Sequence, residues 1–344
     1  MDTNCINKDS SSELSEVINL MFTWYQDSSI CLVYLDDFIY ESKESLVAFG
    51  DSRWFTRGWT LQELLAPKIV HFFDAKWVEF GTKQSLLNSI SKITSIKFQY
   101  LIHPDSIRLA SVAKRMSWVA SRITTREEDM AYCLLEIFDI NLPLLYGEGL
   151  KAFIRLQEEI IRHSNDHTIF CWSWPPSMKA SETPDWYGCL APKPANFQDS
   201  SDFVPTGPSG DGVLSDFQIT NSGLRITLPL LNVLLEGFKL GMLNVENPLI
   251  GNSRIYLVLQ TMSGDSFARS RFSNRLLSLP QDWAKAGIPV YLAHERDPNR
   301  KISSVVPKVA VSKILVYCNV LPDKVSSLPA RTTSTTMNSF IPII

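Results

Sequence analysis

Leu14, Val17, Ile18, Met21, Phe22 and Tyr25 recur at steps of three and four residues. That period lines one helix face, so residues 11–26 are predicted to form an amphipathic helix. Ser10 followed by Glu13 supplies a capping box for it. The pattern then shortens. Ile30-Cys-Leu-Val-Tyr-Leu35 is an unbroken apolar run rich in β formers, a buried strand of the kind found in parallel sheets. A short apolar helix carrying Glu63 follows, then a second strand over Lys68–Phe73. Trp77 to Phe80 extend or pair with that strand. Leu86, Leu87, Ile90 and Ile93 mark a further helix. Strands alternating with helices predict an α/β layer.

Residues 105–165 read as helical. Thr125 with Glu128 is a second capping box, opening a helix whose apolar stripe is Met130, Cys133, Leu134, Ile137 and Phe138. Trp118, Met130, Leu134 and Phe138 are expected to pack this segment as core. Pro143, Gly147 and Gly149 break it, and Phe153, Leu156 and Ile160 line the next helix.

Past residue 168 the runs shorten and Pro and Gly become frequent. Residues 217–228 alternate on both sides of Asn221-Ser222-Gly223, a hairpin signal. Arg254 to Gln260, Pro289 to Ala293 and Lys313 to Cys318 are further strand candidates. The expected organisation is an α/β and helical domain over 1–168, a mainly antiparallel β-domain over 169–330, and a flexible tail over 331–344.

Charge and cysteines exclude several classes. Lys and Arg total 33 against 36 Asp and Glu, so there is no electrostatic footprint for nucleic acid. No apolar run is long enough for a membrane helix, and the polar Asp2 to Ser12 stretch is not a secretory signal. The chain is expected to be cytoplasmic. Its six cysteines form no Cys-x-x-Cys pair, and buried thiols are the simplest reading. His163 and His167 are four apart but lack zincin order or a third ligand, so no metal site is expected.

The candidate chemistry lies in Ser52-Arg-Trp-Phe-Thr-Arg-Gly-Trp-Thr-Leu-Gln-Glu-Leu-Leu-Ala-Pro67. It sets the Glu63 carboxylate among Trp59, Leu61, Leu64 and Leu65. A charge among apolar groups loses water, so it must be paired or put to use. Neither a Ser/His/Asp nor a Cys/His constellation is evident, and no Walker A loop or Gly-x-Gly-x-x-Gly is present.

That segment resembles the signature of the heterokaryon incompatibility (HET) domain of fungi. Asp2-Thr-Asn-Cys-Ile-Asn-Lys-Asp9 is similar to an earlier segment of the family. Ile123 to Phe138, followed by Pro143-Leu-Leu-Tyr-Gly-Glu-Gly149, resembles a later one. The resemblance covers about residues 1 to 170; the remainder looks like the β-rich region that often follows this domain. It implies a role in fungal non-self recognition and cell-death signalling. It also implies kinship with the TIR domain, and so an incomplete flavodoxin/TIR-like layer with an added helical segment. The layer is expected to be incomplete because the family's opening strand and its loop precede the Asp2 segment, and this chain starts at Met1.

Many TIR domains hydrolyse NAD, with a catalytic glutamate in a Trp-Cys-Leu-x-Glu-Leu motif; Trp59-Thr-Leu-Gln-Glu-Leu64 is similar in spacing. The resemblance therefore implies Glu63 as catalytic residue and NAD as substrate, with no resident cofactor. It also implies that Glu63 faces a concavity at the C-terminal edge of the sheet, beside Arg57 or an aspartate. Arg57, with Arg53, either faces a pyrophosphate or pairs with Asp51 or Glu63. Trp59 either stacks on a flat ring or packs as core. Asp36, with Asp37, sits outside a strand C-terminus, where such sheets keep ligands, and is equally an ordinary turn former. Asp2 matches the family's aspartate at a strand start, or belongs to a frayed terminus. Without the opening strand the chain is expected to cleave NAD weakly or not at all. The alternative is a non-catalytic module that self-associates or docks other incompatibility-pathway proteins.

Overall fold

The Ser10 hydroxyl accepts from the Glu13 amide at 3.4 Å and opens helix α1 (Ser11–Asp27), as the capping signal predicts. The computed structural model describes residues 10–174, 186, 188–207, 217–233, 236–251, 253–270, 276–280, 287–292, 314–318 and 339–343. Val17, Ile18, Met21 and Phe22 form the buried stripe of α1. Strand β1 (Cys31–Tyr34) comes next, then the short helices α2 (Leu46–Phe49) and α3 (Thr60–Leu65). Strands β2 (Val70–Phe73) and β3 (Glu79–Thr82) complete a three-stranded sheet of order β1-β2-β3. β1 runs parallel to β2, with Cys31 opposite Val70; β3 is antiparallel to β2.

One face of this sheet is core. Cys31, Val33, Val70 and Phe72 are buried. Phe49 and Trp54 meet Phe72 edge-on, each with ring centroids 5.6 Å apart. The other face departs from the expected buried strand, since Leu32 is 57% and Tyr34 40% exposed. β1 therefore alternates in and out, because the core packs against one side of the sheet. Tyr34 stacks there on Trp77 at 4.4 Å.

Helices α4 (Leu87–Thr94), α5 (Phe98–Ile102), α6 (Val112–Ser117), α7 (Asp129–Tyr132) and α8 (Lys151–His163) follow. The helix predicted from Thr125 to Phe138 is only α7, with hydrogen-bonded turns after it. Glu128, not Thr125, occupies its N-cap, and no side chain caps it there. Of the four expected core residues, Trp118, Leu134 and Phe138 are buried and Met130 is half-buried.

The contacts divide the chain into two units. The first comprises Met1–His163 and Pro192–Ser201; the second comprises Ser164–Ala191 and Asp202–Ile344. The division falls at residue 163, not 168, and the chain returns to the first unit where the sequence predicts β-domain. Burial explains the return. A tight turn over Pro194–Phe197 packs against α6 with Phe197 fully buried.

The second unit is mainly β. Its strands are β4 (Val204–Pro205), β5 (Phe217–Thr220), β6 (Gly223–Asn232), β7 (Phe238–Met242), β8 (Val245–Glu246), β9 (Ser253–Ser263), β10 (Ser266–Arg269), β11 (Leu277–Pro280) and β12 (Gly287–Leu292). β10 pairs with both β9 and β12, so β10-β12-β6-β7-β9 closes into a ring. Only the β10–β12 pairing within that ring is parallel. The predicted hairpin is β5–β6, whose two-residue turn is Asn221-Ser222; Gly223, at φ 121°, closes it opposite Thr220. β13 (Ile314–Cys318) pairs antiparallel with β14 (Ser339–Ile343), which lies within the segment expected to be a flexible tail; residues 331–338 lie outside the described ones.

Candidate functional site

Arg53 and Arg57 are not on one continuous helix with Glu63. Arg53–Thr56 form a 3-10 turn, and Arg57 is extended at φ −84°, ψ 137°. The break is built by tertiary contact. Gly58 donates its amide to Ile123 O at 2.9 Å, and the Ile123 amide donates to Thr56 O at 2.6 Å. A Cβ on Gly58 would lie 2.6 Å from Thr124 Cγ2, so this approach requires glycine. Helix α3 restarts after it. Thr60, Leu61, Gln62, Leu64 and Leu65 are buried, while Trp59 and Glu63 are half-buried. Those two are four residues apart and so share a face of the helix.

Glu63 is held by Trp54, whose Nε1 donates to Oε2 at 3.1 Å. Its negative charge also reaches Cys31, whose thiol is pushed up to about 12, first by burial and then by Glu63. Trp59 acts on a second carboxylate, that of Asp129. Tyr146 donates its hydroxyl to the same group at 2.9 Å. Burial raises Asp129 above the ordinary carboxylate range, and the Tyr146 hydroxyl and Trp59 work against the rise.

Arg122 ties α3 to this second region. Its Nη1 donates to Arg57 O at 2.8 Å and to Thr60 Oγ1 at 2.9 Å, and its Nε donates to Trp118 O at 3.2 Å. Gln62 Nε2 donates to Cys133 O at 2.9 Å. No local period marks Arg122 as special; only the fold brings it to Arg57 and Thr60.

The stretch 123–138 and the loop 143–149 are one clasp. Glu128 Oε1 accepts from the Gly147 and Gly149 amides at 2.7 and 3.0 Å. Those bonds, with one from its own amide, hold Glu128 below the usual carboxylate range. The Leu145 amide donates to Tyr132 Oη at 2.9 Å, and Tyr132 donates to Glu148 Oε1 at 3.2 Å. Glu148 also pairs with Arg155 of α8. Arg126 lies over the Tyr146 ring, 4.4 Å from its centroid. The side chains of Glu128 and Asp129, at the start of α7, thus secure the 146–149 loop.

The remaining predicted residues are dispersed. Asp36 accepts from Arg53 Nη2 at 2.8 Å on an exposed surface. Asp37 accepts from Ser52 Oγ and from the Arg53 amide, each at 2.8 Å. Arg53, not Arg57, therefore takes the aspartates. Arg57 is exposed and contributes its carbonyl. Asp2 lies outside the described residues. Among the described residues no three His, Cys, Asp or Glu side chains gather as metal ligands, and no helix is long and apolar enough to cross a membrane. Cys31, Cys133, Cys171 and Cys189 are buried thiols.

A cavity of about 340 Å³ opens in the first unit, lined by Val119–Thr124, Glu127, Met130, Leu150, Phe153 and 192–195. Glu63 does not line it. Trp54 is one neighbour of the Glu63 carboxylate, and Arg57 lies across the chain break at Arg57-Gly58.

Comparison with known proteins finds one strong likeness. The chain is 47% identical over 167 residues to the vegetative incompatibility protein HET-E-1 of Podospora anserina. The match covers 46% of this chain and 12% of that protein, so the chain spans a small part of the relative's length. No family model matches, and no solved structure matches.

Proposed function

We propose that this chain acts in fungal vegetative (heterokaryon) incompatibility and its cell-death signalling. We further propose that its first unit is TIR-related and cleaves NAD at the nicotinamide–ribose bond through Glu63. The 47% identity with an incompatibility protein over 167 residues carries the first part. The parallel β1–β2 pair, with helices between its strands, supports reading the unit as an incomplete flavodoxin/TIR-like layer.

For the chemistry, the supporting observation is the position of Glu63. With Trp59 it occupies the partly open face of an otherwise buried helix, and the Trp54 indole helps orient its carboxylate. Breaking the nicotinamide–ribose bond sends the electron pair to the ring nitrogen and leaves an oxocarbenium-like ribose. Nicotinamide departs neutral, so no general acid is required. A fixed carboxylate stabilises the developing positive charge, and water completes hydrolysis with loss of a proton.

The test is nicotinamide release by the full chain and by Glu63→Gln, at matched melting temperatures. Slow release by the parent and none by the variant is the expected result. Equal rates would remove Glu63 from the mechanism.

The second reading is a non-catalytic interaction module. The exposed Leu32, Tyr34 and Trp77 on one side of the sheet favour it, since exposed apolar groups clustered on one surface mark interaction sites. Absence of nicotinamide release, together with concentration-dependent association lost in Leu32→Glu, would select it.

A further inference from the structure

Arg122 is a nearly buried cation that makes no salt bridge among the described residues. The residue is 4% exposed. Trp118 O, Arg57 O and Thr60 Oγ1 accept from its Nε and Nη1, and all three are neutral. Its Nη2 donates to none of the described residues, and no carboxylate lies within 4 Å of the guanidinium among them. Glu63 acts on it only through space. Burial lowers its pKa to about 10, which leaves it charged at neutral pH. Buried charges are normally paired, because an uncompensated one costs several kcal/mol.

The same residue lines the cavity between residues 119–130 and 192–195. The rest of the lining is largely apolar, with Val119, Ile123, Met130, Leu150 and Phe153 among its members. Lys193, an exposed residue of the lining, adds a second positive charge against the single carboxylate of Glu127. A volume of about 340 Å³ is within the range of small-molecule sites.

We propose that this cavity binds a small organic anion, its apolar body against Ile123, Met130 and Phe153 and its anionic end paired with Arg122. The ligand class is an aromatic or aliphatic carboxylate, sulfonate or phosphate. Because Arg122 also holds Arg57 and Thr60, occupancy would stiffen the start of α3, the helix that carries Glu63. The binding claim is independent of whether Glu63 cleaves NAD.

The probes are anilinonaphthalene sulfonate and its uncharged counterpart phenylnaphthylamine, titrated by fluorescence against the full chain. The parent should bind the sulfonate at least about tenfold more tightly than the neutral probe, as a charge-assisted pairing requires. Lys193→Ala should weaken the sulfonate several-fold and leave the neutral probe unchanged. Arg122→Gln should remove the preference altogether. Ala195→Trp, at an exposed lining position, should block both probes while keeping the parent melting curve.

If Arg122→Gln melts early, Lys193→Ala and Ala195→Trp decide the matter without it. Equal affinity of the parent for the two probes would overturn the proposal. So would sulfonate binding that neither Lys193→Ala nor Ala195→Trp alters.

Discussion

The indole of Trp54 donates to the Glu63 carboxylate across 3.1 Å, from a residue that is itself buried against Phe72. The bond fixes a half-buried charge to the aromatic core of the sheet. Trp54→Phe keeps much of the ring packing and removes the donor. It should cost about 1–3 kcal/mol, the loss of a hydrogen bond to a charged group, read by denaturant unfolding. If Glu63 cleaves NAD, nicotinamide release should fall with it. A variant as stable as the parent would show that Glu63 finds another donor.

Acid should loosen the clasp at 143–149. Glu128 is held below the usual carboxylate range by its own, the Gly149 and the Gly147 amides. A depressed folded pKa contributes stability above the unfolded value, about 4.3 for Glu, and loses it as pH falls through the folded value. The protection factors of the Gly147 and Gly149 amides, taken against the intrinsic exchange rate at each pH, should therefore fall as the pH drops below the unfolded carboxylate value. Asp129, raised by burial, works in the opposite direction. Comparison with Glu128→Gln isolates the Glu128 contribution: the variant should show fast exchange already at neutral pH. Unchanged protection in the variant would break the assignment.

The four described buried thiols should be inert in the native state. Burial pushes Cys31, Cys133 and Cys189 up to about 12, and Cys171 upward as well. Alkylation at pH 8 followed by peptide mapping should leave these four unmodified, then label all four after denaturation. Native labelling of Cys133 would mean that the α7 region opens readily.

Leu134→Ala and Met130→Ala should separate core from cavity. Leu134 is fully buried, and its truncation should cost about 2–5 kcal/mol. Met130 is half-buried and lines the cavity, so its truncation should cost clearly less. Equal losses in chemical denaturation would place Met130 in the core, as the helical stripe alone predicts.

Local pattern carried much of this structure. The period of three and four residues between Leu14 and Tyr25 became α1, capped at Ser10. The apolar runs at 31–34 and 70–73 became paired strands, and the turn at Asn221-Ser222 became a hairpin. These features depend on residues close in the chain, where spacing alone decides which side chains share a face. Tertiary structure decided the rest. Gly58 ends one segment and begins another because Ile123 and Thr124 lie against it. Glu128 reaches across to Gly147 and Gly149 instead of capping its own helix, and Pro192–Ser201 returns to the first unit to bury Phe197. Arg122 meets Arg57 across 65 residues. Hydrogen bonds and burial at such separations leave no periodic trace, since the partner of each group is chosen by the packed chain and not by its neighbours.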